Sequence, residues 1–253
     1  MNLGDVISIV SPKGGVGKTS ITVNLGIALV KYLYKKVIVI DTNAYAANLS
    51  FYLGMPHLPI TLNDMIKWKL PAEKVTYEHE SGLHVIPASL SIENEKDIIN
   101  KLNLKRLINE IRRKYDYILL DSAPGMGEDV RSIIEISDEI ILVTTPDTPT
   151  LLTSYKAVVF AEEHRTPLRV VINKVMGNKH ELAKEEIKDA LKTEIFEEIP
   201  YDFRVYEAVM RRIPALYISP TFRNHIISMA SKLTGEEIKK KGIFDVIREI
   251  LRL

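Results

Sequence analysis

Cysteine is absent from all 253 residues of the sequence. Its absence excludes disulfide bonds, zinc sites built on thiolates, cysteine-ligated iron–sulfur clusters and cysteine nucleophiles. The six histidines are scattered, and none has the short spacing that is typical of metal ligands. Any chemistry therefore depends on lysine, aspartate, threonine, histidine or backbone groups, and we interpret the histidines as structural or surface residues.

Long apolar runs and an excess of charge of one sign are also lacking. No run approaches the roughly 18 apolar residues of a membrane-spanning helix, and residues 1–5 do not begin a secretory signal. The 34 Lys and Arg residues nearly balance the 33 Asp and Glu residues, which gives a formal charge of +1. This balance argues against a surface that binds nucleic acid over its whole area, but not against a local patch. We therefore expect a cytoplasmic protein.

Short β-branched runs alternate with amphipathic helical patterns along the chain. The runs are nearly continuous apolar stretches, as in parallel strands covered on both faces, and predict strands at residues 6–10, 37–40, 83–86, 117–120, 140–144, 170–172 and 195–199. Helical periodicity predicts helices near residues 19–34, 102–114, 130–137, 151–164, 181–191 and 203–211. The alternation favours an α/β fold with a doubly wound, mostly parallel sheet, in which ligands bind at the C-terminal strand ends.

No internal repeat, low-complexity tract or Gly/Ser-rich linker divides the chain. Residues 45–87 are the least regular part, with Pro56, Pro59 and Pro71, and we interpret them as an excursion from one domain. We predict a single domain, residues 1–235, followed by an amphipathic C-terminal tail, residues 236–253.

A glycine-rich loop joins the first predicted strand to the first predicted helix. Glycines allow backbone N–H groups to converge on phosphate oxygens, and the helix N-terminus adds a favourable dipole. In such a loop Lys18 reaches the β- and γ-phosphates and the Thr19 hydroxyl binds Mg²⁺. The pattern departs from the general phosphate-binding motif at its first position, where Pro12 stands. The segment reads Lys13-Gly14-Gly15-Val16-Gly17-Lys18-Thr19-Ser20.

These loop residues resemble the deviant Walker A motif of the MinD/ParA superfamily, and of its MinD-like members in particular. The resemblance covers nearly the whole chain and continues through residues 37–41, 115–125 and 172–174. It implies a P-loop NTPase with three α/β/α layers that binds ATP and Mg²⁺ through residues 13–20. It also implies that Lys13 crosses a homodimer interface to the γ-phosphate on the partner subunit, so that dimerisation depends on ATP. A cation placed there stabilises charge in the transition state.

Two aspartates follow predicted strands and face the phosphate site. Asp121 comes after four apolar residues, and a phosphate loop needs such a carboxylate to hold Mg²⁺. The alternative is that Asp121 caps the loop that follows it. The resemblance places Asp41 near Mg²⁺ and the attacking water, and its alternative is an ordinary strand-end aspartate. We predict Thr19, Asp41 and Asp121 as the metal site.

Two positions depart from the MinD-like pattern. Relatives usually read Asp-x-Asp where this chain has Asp41 and Asn43, and an amide can hydrogen-bond to water but cannot take its proton. With Lys13, Lys18 and Asp41 still present as catalytic residues, we expect slow hydrolysis rather than none. Either the protein is slow by nature, or Asn43 is an introduced change that traps the ATP-bound dimer. The second departure is Thr153, where many relatives carry an aspartate that faces the residue equivalent to Lys13.

The base of the nucleotide is expected at the next strand ends. Asn173 can pair with the N6/N7 edge of adenine, as the resemblance implies, or form an Asx turn. Met176 stands where a GTPase-type Asn-Lys-x-Asp motif has its aspartate, which favours ATP over GTP. Pro200, Tyr201 and Asp202 resemble the family's loop that covers the adenine. The alternative is that they form an ordinary connecting loop.

A second switch segment and the tail offer surfaces for partners. Residues 124–127 contain two glycines, and an N–H there is placed to sense the γ-phosphate. The helix that follows is where the resemblance implies an unidentified regulatory protein partner. In the tail, three lysines at 239–241 precede an apolar stripe on one helix face in residues 243–251. This segment binds an anionic membrane, packs on its own domain, or meets a protein. The first case gives peripheral attachment at the inner face of the membrane, as MinD-like tails do.

The leading hypothesis is an ATP-driven dimerisation switch in intracellular positioning, at a cell-division site, a pole or membrane-associated machinery. One alternative is a ParA-like ATPase whose ATP dimer binds DNA, although its only basic candidates are Arg204, Arg211, Arg212 and Arg223. Another is an ATP-binding scaffold without useful turnover, which Asn43 makes plausible. A cluster carrier of the same superfamily is disfavoured by the absence of cysteine.

Overall fold

The computed structural model describes residues 3–43, 47–89 and 100–237. Within these ranges the chain forms one eight-stranded sheet in the order β3-β4-β2-β5-β1-β6-β7-β8, in which β3 is antiparallel to β4 and the other pairs are parallel. The strands are β1 Asp5–Val10, β2 Val37–Asp41, β3 Tyr77–Glu78, β4 His84–Ile86, β5 Tyr117–Asp121, β6 Glu139–Thr144, β7 Leu168–Val175 and β8 Ile195–Pro200.

Helices cover both faces of the sheet. They are α1 Lys18–Leu33, α2 Leu49–Tyr52, α3 Leu62–Trp68, α4 Lys101–Ile111, α5 Glu128–Ile136, α6 Thr148–Glu163, α7 Lys184–Leu191, α8 Phe203–Arg211 and α9 Pro220–Thr234, with 3-10 turns at Ala72–Lys74 and Ala215–Tyr217. In the described residues no helix has the length and apolar character required to cross a bilayer.

The apolar pattern of the strands accounts for three layers. Every residue of β2 and β5 is buried, because successive side chains point to opposite faces and both faces are covered. Val39 and Leu119 pack with α1 and α9, whereas Ile38 and Ile118 pack with α4. The predicted doubly wound, mostly parallel α/β/α fold is therefore confirmed.

α1 is the most deeply enclosed helix near the C-terminal edge of the sheet. Twelve of its 16 residues are buried, and it packs against both the sheet and α9. A Cβ at Gly26 would approach Leu83 and Val39 to 3.0 Å, so this helix lies very close to the strands. The phosphate loop before α1 is thus held by a rigid support.

All seven predicted strands form, whereas β3, α2, α3, α9 and the two 3-10 turns were not predicted. β3 has two residues, too few to leave an alternating pattern. α3 begins with a capping box of Thr61 and Asp64 inside the irregular segment. α9 follows the N-cap Ser219 and buries a stripe formed by Phe222, Ile226, Met229 and Ala230.

Candidate functional site

The phosphate loop leaves the start of α1 without a side-chain cap. Gly17, which has no side chain that could act as a cap, occupies the N-cap position with a φ of 106°. Lys18 beside it is only 7% exposed, and burial lowers its pKa while the charge of Asp121 opposes that change. Uncapped N–H groups, a helix dipole and a buried lysine together favour an anion.

A cavity of about 510 Å³ opens in front of the loop, a volume suited to a mononucleotide. Most residues predicted to bind ATP line it, namely Gly14, Gly15, Gly17, Lys18, Thr19, Ser20, Asn173, Pro200, Tyr201 and Asp202. Val16 is buried within the loop, and Lys13, Asp41 and Asp121 are not part of the cavity lining. The fold therefore brings the predicted residues together, and the roles assigned to them stay predictions.

Asp121 at the end of β5 is joined directly to the phosphate loop. Its Oδ2 accepts a hydrogen bond from the Thr19 hydroxyl at 2.6 Å, and its Oδ1 accepts one from the Thr22 hydroxyl at 3.1 Å. Burial raises the pKa of Asp121, although these two bonds and the charge of Lys18 oppose the rise. A hydroxyl and a carboxylate held together are the hard oxygen ligands that Mg²⁺ prefers, so the residues present fit this ion.

Asp41 lies beside Asp121 in the β2–β5 register, yet its oxygens serve the backbone. Oδ1 accepts from the Asn43 N–H at 2.9 Å, and Oδ2 accepts from the N–H groups of Asn48 and Leu49 at 3.2 Å each. Burial, followed by the neighbouring charge of Asp121, raises the pKa of Asp41. These contacts agree with the alternative of a structural strand-end aspartate, which caps α2. The predicted role of Asp41 at the metal stays a prediction.

Asn43 lines the cavity and is 8% exposed. It lies two residues beyond β2, in the position where the sequence predicts the group that faces the attacking water. Residues 44–46 lie outside the described ranges. The structure therefore gives Asn43 access to the cavity, as its predicted role requires.

Lys13 is held by the start of α6. Its Nζ lies 2.7 Å from Thr150 Oγ1 and 3.2 Å from Asp147 Oδ1, at a rim where the lysine side chain is 45% exposed. Thr153 instead donates to carbonyl groups of its own helix. Although position 153 is a threonine and not an aspartate, Lys13 is still held, by Asp147 and Thr150 about one helical turn earlier.

Asp147 was missed by the sequence interpretation. Its side chain caps α6 by accepting the Thr150 N–H at 2.9 Å. Burial opposes ionisation, but hydrogen bonds from Thr145, Thr150 and Lys13 outweigh it and lower the pKa of Asp147 to about 2. An aspartate two residues before a proline at a helix start is a recognisable N-cap signal. That signal predicts the cap, but not the contact with Lys13.

The amide nitrogen of Asn173, predicted to reach adenine, is bonded to the phosphate loop. Asn173 Nδ2 lies 2.7 Å from the Val16 carbonyl oxygen, and Lys174 Nζ lies 2.6 Å from the Gly15 carbonyl oxygen. This contact is neither the expected adenine pair nor the Asx turn. The adenine contact stays a prediction, and Lys174 joins the residues that sequence reasoning missed.

α8 and α2 close the far end of the cavity. The lining there includes Tyr52, Val205, Tyr206, Val209 and Met210, none of which was predicted. Burial, with the charge of Asp121, raises the pKa of Tyr52 against the effect of its hydrogen bond with Ser20. Apolar and aromatic side chains next to the predicted adenine loop suit the flat face of a base.

Asp202 ties the predicted adenine loop to its surroundings. Hydrogen bonds from Arg204 and from the Ser219 hydroxyl lower its pKa to about 2. Arg204 is therefore committed to Asp202, and Arg211 pairs with Glu207. Two of the four arginines considered for DNA binding are thus neutralised by carboxylates of their own chain.

The second switch segment is also partly engaged. Gly125 has a φ of 105°, and its N–H donates to the Ser11 carbonyl at 3.2 Å. The Gly125 N–H is therefore engaged by the Ser11 carbonyl in this structure, and the predicted sensing of the γ-phosphate by an N–H of residues 124–127 stays a prediction. Ser122 and Pro124 line the cavity on either side of Ala123. The predicted C-terminal tail lies outside the described residues from position 238 onward.

Comparison with known proteins agrees with this geometry. A family model described as an AAA domain matches residues 4–153. An ATP-binding protein of Methanocaldococcus jannaschii is 30% identical, with 98% of each chain covered. Septum site-determining protein MinD of Thermotoga maritima is also 30% identical, over 98% of this chain and 97% of its own.

The structural comparison leads to the same family. MinD of Pyrococcus horikoshii, solved as a complex with Mg-ADP, is 27% identical and superposes with a TM-score of 0.84 over 91% of this chain and 96% of its own. Whole-chain identity, the shared sheet and a phosphate loop with its partner carboxylate therefore establish that this chain belongs to the MinD/ParA superfamily of ATPases.

Proposed function

We propose that this chain is a Mg²⁺-dependent ATPase that acts as an ATP-driven dimerisation switch in intracellular positioning. The observation that carries the proposal is the place of Lys13, which lies at the rim of the cavity and not in its lining. Lys18 already supplies a buried cation inside. A second cation at an exposed rim is suited to the nucleotide of another subunit.

The phosphate and metal would be held by groups already described. Lys18 and the uncapped start of α1 neutralise phosphate charge, while Thr19 and Asp121 supply oxygen ligands to Mg²⁺. When bound there, Mg²⁺ would offset the negative charge of the phosphate groups. Because a metal binds the ionised carboxylate, the raised pKa of Asp121 makes binding weaker at low pH.

Turnover by this site would be slow because of Asn43. Its amide can orient a water molecule in the cavity but cannot remove the proton. Electrostatic stabilisation by the two lysines and the metal would remain. The protein would then spend most of each cycle with ATP bound, and its release from that state would depend on a partner.

We further propose that the protein is cytoplasmic and attaches to the inner face of the membrane through residues 239–253. The support is the sequence of that segment, with three lysines before an apolar stripe. Its two acidic residues weaken attraction to anionic lipid, so a single copy would bind weakly. Two copies in a dimer would bind far more tightly than one.

The switch is tested by size-exclusion chromatography with light scattering on the nucleotide-free, ADP and ATP·Mg²⁺ forms. We expect a dimer with ATP·Mg²⁺ and monomers otherwise. Lys13→Ala should remain monomeric while still binding ATP, whereas Lys35→Ala, a remote lysine that pairs with Glu236, should behave as wild type. ATP-bound wild-type monomers, or dimers of Lys13→Ala, would refute the switch.

A further inference from the structure

β7 ends in an irregular pair of residues next to the phosphate loop. The register between β7 and β8 shifts between Ile172 and Val175, so Asn173 and Lys174 leave the regular ladder. Lys174 also has a φ of 62°, a left-handed conformation that is unfavourable for lysine. Bulges redirect side chains, and strained backbone is concentrated at functional sites. The irregularity at this strand end therefore points to a role for the two side chains.

Both side chains donate to successive carbonyl groups of the loop. Asn173 holds the Val16 carbonyl and Lys174 holds the Gly15 carbonyl, at 2.7 and 2.6 Å. In a trans peptide the carbonyl and the N–H of the next residue point in opposite directions. Holding these carbonyls therefore fixes the direction of the N–H groups of Val16 and Gly17. Convergence of such N–H groups is what binds a phosphate.

The loop is fitted to this arrangement at Gly17. Its φ of 106° is a conformation that residues with a side chain rarely adopt, and a Cβ there would clash with the Asn173 amide nitrogen. Glycine at this position thus permits both the turn and the close approach of Asn173. The requirement for glycine in the motif is tied to a residue far away in the sequence.

We propose that Asn173 and Lys174 are positioning residues that hold the phosphate loop in its anion-binding conformation before a nucleotide arrives. The proposal rests on the proposed function of the cavity as an ATP site. A loop that is already ordered loses less conformational entropy on binding, so the affinity for nucleotide is higher. The ammonium group of Lys174 acts on the loop carbonyl, and not on the phosphate.

The first test measures ADP binding by calorimetry and thermal unfolding of the nucleotide-free protein. Lys174→Gly removes the ammonium group and at the same time relieves the left-handed strain. We expect ADP to bind about tenfold more weakly, the effect of losing one hydrogen bond from a charged donor, while the unfolding temperature does not fall. Lys174→Arg, which keeps a charged donor, should restore most of the affinity.

Lys192→Gly is the matched control, because Lys192 is an exposed lysine with a φ of 51° at the end of α7. It should gain the same relief of strain and leave ADP affinity unchanged. Equal ADP affinity of Lys174→Gly and wild type would overturn the proposal, as would equal weakening in Lys192→Gly.

The second test is hydrogen–deuterium exchange of the nucleotide-free full-length chain. We expect peptides that cover residues 13–18 to exchange faster in Lys174→Gly, and at the wild-type rate in Lys192→Gly. Weaker ADP binding with unchanged exchange would overturn the positioning role and make Lys174 a direct nucleotide contact. If the wild-type protein bound neither ATP nor ADP, the proposed function would fail. Faster exchange of residues 13–18 in Lys174→Gly would in that case still support the proposal that Lys174 orders the phosphate loop.

Discussion

Residue type determines what Asn43 can contribute, whereas the contribution of Lys13 depends on neighbours in space. An amide in the cavity can orient water but cannot accept its proton, whatever surrounds it. A lysine, by contrast, can be a phosphate ligand, an ion-pair partner or a solvated surface charge. Only the structure shows that Lys13 rests on Asp147 and Thr150 of its own chain.

Replacing Asn43 by aspartate should raise the single-turnover rate of ATP hydrolysis by roughly tenfold or more. The reason is that a carboxylate can accept the proton of the attacking water. Rapid-quench measurement of phosphate release with excess protein gives the rate. Asn43→Gln, which changes the side chain but adds no base, should not exceed the wild-type rate, and an unchanged rate for Asn43→Asp would disprove this role of Asn43.

Replacing Asp147 by asparagine should favour the ATP-dependent dimer. Asparagine still caps α6, but it loses the charge that attracts Lys13. Because this ion pair is largely exposed, we expect at most about a fivefold fall in the ATP concentration that gives half-maximal dimer. Light scattering across an ATP titration measures it, with Asp64→Asn in the remote capping box of α3 as the control.

The same contact predicts a dependence on pH. The pKa of Asp147 is lowered to about 2 from an ordinary value of 3.8. Its contribution to the stability of the Lys13 contact is therefore complete above pH 3.8 and is lost as the pH falls toward 2. The effect of Asp147→Asn on dimerisation should accordingly be constant from pH 6 to pH 8, and a marked change within that range would contradict the assignment.

At the scale of elements, a partly buried carboxylate joins β8 to α9. Glu197 accepts hydrogen bonds from Ser228 and Lys232 and lies 2.7 Å from His225 Nδ1. Burial alone would raise the pKa of Glu197, but these three partners outweigh it and hold the pKa below 4.5. α9 is therefore anchored to the sheet by polar contacts as well as by its apolar face.

Glu197→Gln should lower the free energy of unfolding by about 1 kcal/mol at pH 7, because a partly buried charge loses hydrogen bonds to three partners. Because the pKa of Glu197 is lowered on folding, its stabilising effect is complete above the ordinary value of 4.5 and is lost as the pH falls below it. The difference in the free energy of unfolding between Glu197→Gln and wild type should therefore shrink below pH 4.5. Urea denaturation at several pH values measures it. Glu198→Gln, one residue further along the same strand, serves as the control, and an equal loss there would remove the special role of Glu197.

Helices and strands were predictable where the local apolar pattern of the sequence determines them, and not where they depend on pairing with a distant segment. Apolar runs in strands buried on both faces identify β2 and β5 directly, and the phosphate loop follows from its glycines and lysine. The bulge at Asn173 and Lys174 has no counterpart in the apolar pattern, because it depends on how β7 pairs with β8. For the same reason the sequence indicated the nucleotide site, but not the donors that hold its loop.

At the scale of the whole molecule, the predicted tail should join ATP state to membrane attachment. The full-length chain should sediment with anionic vesicles more strongly in ATP·Mg²⁺ than in ADP, because two tails act together in a dimer. A truncation to residues 1–241 should lose this binding, and neither the full-length nor the truncated protein should bind neutral vesicles. Equal sedimentation of the full-length and truncated proteins with anionic vesicles would eliminate the tail as a membrane anchor.

The burial of α1 has a consequence for which parts of the molecule are free to move. With 12 of its 16 residues enclosed by the sheet and α9, this helix cannot shift without opening the closely packed interior. We therefore expect the start of α1, and the end of the phosphate loop that is joined to it, to keep the same position in every nucleotide state. If the proposed switch operates, we therefore expect the ATP and ADP forms to differ in the segment that follows β5, residues 122–127, and not in α1.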